Sequence, residues 1–405
     1  MITRRLLLAA PLAAAAQTKP KRLAAVITEY RALSHADVIV TKYLEGYNHD
    51  GAPPFPRSKI VAMATEQVPK NDLSRPMSRK HGVPIFPTVH DALTFGGKSL
   101  AVDGVLLIGE HGEYPLNDKG QKLYPRYEMF LKVTDVFRET GRSVPVYCDK
   151  HLSWNFHQAR RMVAISKELK FPMLAGSSIP VAYRAPQHDV PYGAVIRRAA
   201  AVSFGGLEGY GFHGLEGLQC IIERRRGGET GVSAVECREH AACWEFIEQN
   251  PWARSLLDAA LARTENRKPG DLRDLVKNPA VFIVHYRDGA TGLVFQLPGA
   301  IEEWAAAAEV EGAGKPFSVL FKLQRFGVRH HFGCLVDNME TMFETGKAPY
   351  PVERTLLTAG ALDFLMESHQ KNGARIETPE LDIRYTPARG PFYCMQGWSA
   401  DGKRL

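Results

Sequence analysis

From Arg22 onward, short apolar runs alternate with stretches whose apolar positions recur every three to four residues. The runs "RLAAVI", "SKIVAMAT" at Ser58–Thr65, "VPIFPT", "VDGVLLIG" at Val102–Gly109, "SVPVYC" at Ser143–Cys148 and "FPMLAG" predict strands. Between them the pattern predicts helices at His35–Tyr47, Ser74–His81, "VHDAL", Tyr127–Thr140 and Asn155–Leu169. Strand–helix alternation implies crossover connections, and so a parallel sheet covered on both faces. Residues 21–180 are therefore expected to form a Rossmann-like domain that holds ligands beyond the carboxyl ends of its strands.

After Pro180–Pro191 the runs lengthen. "AVIRRAAAVSF", "GVSAVECRE", "AVFIVHYRDG", "TGLVFQLP" and "FSVLFKLQRF" predict strands, with a tight turn at Asp288–Gly289. Helices are predicted at Phe212–Arg226, around Trp252–Thr264 and over "VERTLLTAGALDFLMESHQ". The fold class is thus α/β: an N-terminal parallel sheet, then an α+β domain at 181–372 on a largely antiparallel sheet, then an extended tail at 373–405.

The N-terminus changes where such a chain should work. "MITRRLLLAAPLAAAAQTKP" has a basic start, an apolar run to Ala16 and small residues before Gln17, the grammar of a secretory signal at 1–16. The paired Arg4 and Arg5 resemble a twin-arginine leader, so an exported, periplasmic or extracellular protein is expected. The apolar run is too short for a stable membrane span. The formal charge of +7 includes those two arginines, and the rest is dispersed, which points away from nucleic acid. Six scattered cysteines without a C-x-x-C pair exclude a zinc ribbon and leave disulfide pairing open.

Polar residues gather just after the predicted parallel strands. The first is followed by Glu29, Tyr30, Arg31 and His35, the second by Glu66, and the others by Glu110, His111 and Glu113, by Asp149, Lys150 and His151, and by "GSS". Topology brings these loops to one edge, where carboxylates and histidines could move protons, hold a divalent metal or grip sugar hydroxyls. A pyrophosphate fits them poorly, because it needs backbone N–H groups at close range and few carboxylates nearby. Between Ile27 and Asp37 there is no glycine at all.

In its order of elements the chain resembles the Gfo/Idh/MocA family, over nearly the whole mature length. The "EKP" signature of that family has a counterpart in "VPVYCDKHLSWNFHQARRM", with Asp149, Lys150 and His151 at its three positions. The G-x-H that enters a helix, with an acid three residues on, has one in "GGLEGYGFHGLEGLQC" as Gly211, Phe212, His213 and Glu216. Gly209 stands where the family has an aspartate, and "TEYRAL" stands where it has G-x-G-x-x-G.

The resemblance implies an enzyme that acts on a carbohydrate or polyol. Lys150 would polarise the reacting oxygen, His213 would move the proton, and His111, Glu113, His151 and Glu216 would line the substrate cleft. It implies tightly bound NAD or NADP, with Thr28 and Glu66 as cofactor-facing candidates, and a homo-oligomer joined through an open-faced antiparallel sheet. Two alternatives stay open. One is a lyase, isomerase or hydrolase without nicotinamide, assisted by a divalent metal on Glu29, His111, Glu113 and His151; the other is a non-catalytic glycan-binding protein.

Overall fold

A computed structural model describes residues 19–323, 328–395 and 403–404. The signal segment 1–16 and the end of the run "FSVLFKLQRF" lie outside the described residues.

The first sheet has six strands, β1 (Arg22–Glu29), β2 (Lys59–Gln67), β3 (Ile85–Phe86), β4 (Gly104–Ile108), β5 (Val146–Asp149) and β6 (Met173–Gly176), in the spatial order β3-β2-β1-β4-β5-β6. All pairs are parallel, and β1 sits at the centre: Ala25 is in register with Met63 on one side and Leu106 on the other. Helices α1 (His35–Glu45), α2 (Ser74–His81), α3 (Val89–Thr94), α4 (Arg126–Thr140) and α5 (Phe156–Glu168) make the crossovers. A strand buried on both faces must be apolar throughout rather than alternating. That is why "LAAVI" is unbroken: Ala24 and Val26 enter the core beneath α3, α4 and α5, while Leu23, Ala25 and Ile27 enter the opposite one. The helix starts follow capping chemistry, since Ser34 and Asn155 accept from the N–H groups of Asp37 and Gln158.

The second sheet has eight strands: β7 (Arg184–Ala185), β8 (Ile196–Ser203), β9 (Val232–Glu239), β10 (Ala280–Tyr286), β11 (Thr291–Gln296), β12 (Trp304–Val310), β13 (Phe317–Phe321) and β14 (Ile376–Glu377), ordered β14-β9-β10-β11-β8-β12-β13-β7. Only the β8–β11 pair is parallel, and the expected turn at Asp288–Gly289 joins β10 to β11. Helix α6 (Gly209–Ile222) covers one face, while α7 (Ala241–Gln249) and α8 (Pro251–Leu261) cover the other; α9 (Leu272–Leu275) is a single turn beyond them. Both faces are thus clad, which corrects the expectation of an open face free for a second copy. Ala200, Val202, Ile283, Leu293 and Ala305 are all buried against α7 and α8.

Two C-terminal helices complete the packing, and the second of them bridges the two sheets. Helix α10 (His330–Thr345) lies on the first sheet, not the second. Phe332, Leu335, Val336, Met339, Met342 and Phe343 share a core with Leu23, Ile27, Leu106 and the α1 residues. It approaches so closely that a Cβ at Gly104 would lie 2.6 Å from the Phe343 ring. Helix α11 (Val352–Gln370) packs on α5 and β6 on one side and on α6 and β9 on the other. A disulfide between Cys334 and Cys394 fastens the chain beyond α11 to α10. No described helix is long and apolar enough to cross a membrane.

Candidate active site

A cleft of about 610 Å³ opens between the carboxyl edge of the parallel sheet and the start of α6. From the first sheet it is lined by Arg31, His35, Glu110, His111 and Lys150; from the second by Phe204, Tyr210, His213 and Trp304; and from α10 by His331 and Phe332.

Lys150 follows β5 directly and takes a left-handed backbone (φ 59°), as does His111 after β4 (φ 69°). Such conformations are costly for residues with a side chain and persist where the surroundings fix them. Here Gly176 N–H donates to the Lys150 carbonyl at 3.1 Å, which anchors the turn. The Lys150 ammonium donates to Glu110 Oε1 at 2.9 Å, and the Arg126 guanidinium pairs with the other carboxylate oxygen. One buried carboxylate thus serves two buried cations. Burial raises the Glu110 carboxyl, but the charges of Lys150 and Arg126 outweigh it and hold the group well below the usual carboxylate range.

His213 lies in the second turn of α6, whose glycines let it come close to its sheet: a Cβ at Gly211 would lie 2.6 Å from Phe282. Its Nδ1 is 2.5 Å from Ser177 Oγ in the loop after β6, so the two sheets meet at this contact. Burial, then the charges of Lys150 and His35, hold the imidazole well below its ordinary pKa, so it is a neutral ring at neutral pH. Gly209, at the aspartate position of the resemblance, would carry its Cβ 3.8 Å from the Lys150 ammonium. The missing acid would have faced that lysine. Glu110 supplies the carboxylate from the other direction.

The remaining predicted residues divide. His111 lines the cleft, its pKa lowered to about 3 by burial and the nearby His35. His151 is 2% exposed and sits behind the wall, with Nε2 3.3 Å from Glu208 and its ring against Phe212. Glu113 is exposed outside the cleft. Glu216 does not reach the cleft either. It is fully buried, accepting from Ser177 N–H (3.1 Å), Arg354 (3.0 Å) and Thr358 (2.7 Å), and so pins α11 to α6. The lining positions expected for His151, Glu113 and Glu216 are therefore corrected: a helical acid three residues after His213 points a turn further on, into the α11 interface. Thr28 is fully buried and donates to the Glu110 carbonyl at 2.7 Å, whereas Glu66 is exposed at the end of β2. No three of Glu29, His111, Glu113 and His151 bring ligand atoms within 4.8 Å of one another. Among the described residues such a group occurs at Cys237, Glu239 and His369, on β9 and α11.

His35, expected at this edge from its place after the first strand, does line the cleft; sequence reasoning did not select Tyr210, Trp304 or His331. His35 Nδ1 is 2.6 Å from Asp149 Oδ2, and the other oxygen, Oδ1, accepts from Tyr147 OH at 3.1 Å. Tyr210 and Trp304 stack with their planes 11° apart, and Phe204 closes on Trp304 at 4.5 Å between centroids, so an aromatic wall stands beside His213. Tyr210 lay within the glycine-rich stretch that drew attention to His213, and an aromatic there was the signal available.

No family model matches this sequence, and no curated sequence is similar enough to align with it. Solved structures do match. GenD2 from gentamicin A biosynthesis, in complex with NAD, superposes with a TM-score of 0.57 at 12% identity, over 89% of this chain and 97% of that one. Myo-inositol 2-dehydrogenase from Lactobacillus plantarum gives 0.55 at 11% identity, over 89% and 99%. Scyllo-inositol dehydrogenase from Lactobacillus casei, with bound NAD(H) and scyllo-inositol, gives 0.53 at 11% identity, again over 89% and 99%. The fold is that of the Gfo/Idh/MocA dehydrogenases.

The residues of this chain fit the dinucleotide of that fold badly at the place where Gfo/Idh/MocA glycines would admit it. In a doubly wound sheet the pyrophosphate lies at the end of β1 against free N–H groups of the loop and helix. Here β1 ends in Glu29, 6% exposed and paired with Arg31 at 2.5 Å. Several of the N–H groups there are already occupied. Arg31 and Asp37 donate to Ser34 Oγ (3.2 and 3.3 Å), and Leu33 donates to Asp37 Oδ2 (2.8 Å).

Proposed function

We propose that this chain is an enzyme acting on a carbohydrate or polyol, with Lys150 holding the reacting oxygen and His213 moving a proton. The observation that carries the proposal is the meeting of these two residues, from different sheets, in one cleft beside an aromatic wall. Sugars and cyclitols are suited to such a wall, since their C–H faces pack on aromatic rings while their hydroxyls reach polar groups at the rim. The ammonium, held by Glu110, polarises a carbonyl or stabilises an alkoxide. With Nδ1 of His213 held by Ser177, Nε2 is left for the substrate. The inositol dehydrogenases named above support the substrate class.

A binding screen against inositols, aldoses, ketoses and uronic acids, followed by turnover assays on what binds, tests the reading. Lys150→Ala and His213→Ala should each lower turnover by about 10²–10⁴-fold without a comparable loss of folded protein. Variants that keep full turnover would remove both role assignments.

We also propose export, with cleavage after Ala16, and domains at 21–180 and 181–372. The leader pattern supports export, and the Cys334–Cys394 disulfide suits an oxidising compartment. Fractionation of the native host with an antibody, together with N-terminal sequencing of the mature chain, tests it.

A further inference from the structure

The end of β1 is closed by more than the missing glycines. In the sheet order β2 and β4 flank β1, so anything joining their carboxyl ends spans the end of β1. Gln67, the last residue of β2, makes that join. Its side chain donates to the Glu113 carbonyl at 3.2 Å and accepts from the Glu113 N–H at 2.9 Å. The contact is tight, since a Cβ at Gly112 would lie 2.9 Å from Gln67 Oε1. Beside this strap the His35 ring is wedged between His111 and Phe332, at 5.2 and 5.1 Å between centroids, and is tied to Asp149. Phe332 comes from α10, which packs against α1. The route from the cleft past β1 towards β2 is thus filled by side chains from three segments.

We infer that the cleft is a single substrate chamber closed to a dinucleotide, and that the chemistry of Lys150 and His213 within it is redox-neutral proton transfer. The second half rests on the carbohydrate reading above; the first does not. The step balances without a second reactant. The C–H bond beside a sugar carbonyl breaks, its proton passing to His213 and its electron pair to the carbonyl oxygen at Lys150. Return of that proton from the same side to the former carbonyl carbon, with the neighbouring hydroxyl proton passing to the other oxygen, gives the aldose–ketose isomer, and no oxidant or reductant is consumed.

The test uses the full mature chain. A sample is denatured and its supernatant assayed for NAD and NADP, and native protein is titrated with NAD⁺ and NADP⁺ by calorimetry. Separately, protein without added cofactor is incubated with each sugar in D₂O, and the sugar is examined by mass spectrometry. The inference expects no dinucleotide released, no binding up to millimolar concentration, and deuterium entering a carbon-bound position of at least one sugar. Released dinucleotide, or micromolar affinity, would overturn the closed chamber while leaving the carbohydrate reading intact. A sugar that binds yet never exchanges would overturn the proton transfer. If no sugar binds, the carbohydrate reading fails, and the titration still decides whether the chamber is closed.

Discussion

The two ends of the cleft are built on opposite terms. At the β1 end the protein itself supplies partners: Glu29 pairs with Arg31, the N–H groups of Arg31, Leu33 and Asp37 are taken by Ser34 and Asp37, and the Glu113 backbone by Gln67, while His111 Nδ1 stays unpartnered. At the β5–α6 end polar groups are held in place but not used up. Lys150 and Arg126 share one carboxylate, His213 has one ring nitrogen tied, and His331 is 5% exposed with Nδ1 unpartnered. A binding site differs from a folded interior in this respect, since it defers part of its hydrogen bonding to a ligand. One fold therefore carries, a few residues apart, an edge filled largely by its own side chains and an edge whose polar groups open on the cleft.

Glu216 gives the strongest way to sharpen the contrast, because it sits three residues from His213 yet belongs to the structural side. Glu216→Ala should destabilise the protein by about 3–5 kcal/mol, since it strips the fully buried Arg354 of a carboxylate partner. Denaturant unfolding measures this. His213→Ala, whose ring faces the cleft, should cost much less stability and far more turnover. Equal stability losses in the two variants would erase the distinction drawn within α6.

How much of this was legible beforehand follows from which signals are local. All six strands of the first sheet, and its crossover helices, were marked by apolar runs that must be continuous when both faces are buried. Strand β12 was not marked, because "WAAAAEV" carries alanines that favour helix, and only pairing with β8 and β13 makes it a strand. Helix α10 and the Cys334–Cys394 bridge were missed for a similar reason: both are defined by contact with segments far away in the chain. At the site, Lys150 and His213 were visible as motif counterparts. The division of neighbouring acids into Glu110, which faces the cleft, and Glu216, which holds α11, depends on helix phase and packing, and a motif spacing records neither.

The pH response separates the ends more finely. His111 has its pKa lowered from the ordinary 6.5 to about 3, by burial first and His35 second, so the folded protein prefers the neutral ring. A depressed histidine contributes stability that is present above pH 6.5 and lost as pH falls through 6.5 towards 3. Between pH 7 and 5 its share is about 2 kcal/mol, and His213 and His331, lowered in the same direction, add to the slope. Unfolding curves at a series of pH values should therefore show stability declining on the acid side, and His111→Asn should flatten that decline. A variant curve parallel to the parent would mean that His111 is not buried in its neutral form.

The smallest expected effect falls at the β1 end and bears most directly on its history. Ser34 caps α1 and accepts from the N–H groups of Arg31 in the loop and Asp37 in the helix, so Ser34→Ala should cost about 1 kcal/mol, the usual worth of a helix cap. It also frees those two N–H groups at a helix start, the arrangement that elsewhere holds phosphate. If the closure depended on the missing glycines and the cap alone, pyrophosphate or NAD⁺ would now raise the melting temperature of the variant. The Gln67–Glu113 strap and the wedged His35 remain in place, so thermal shift should show the lost stability and no recovery by either ligand. Recovery would mean that the edge is a phosphate site covered by one serine, and that its conversion to structure is shallower than the contacts around Gln67 imply.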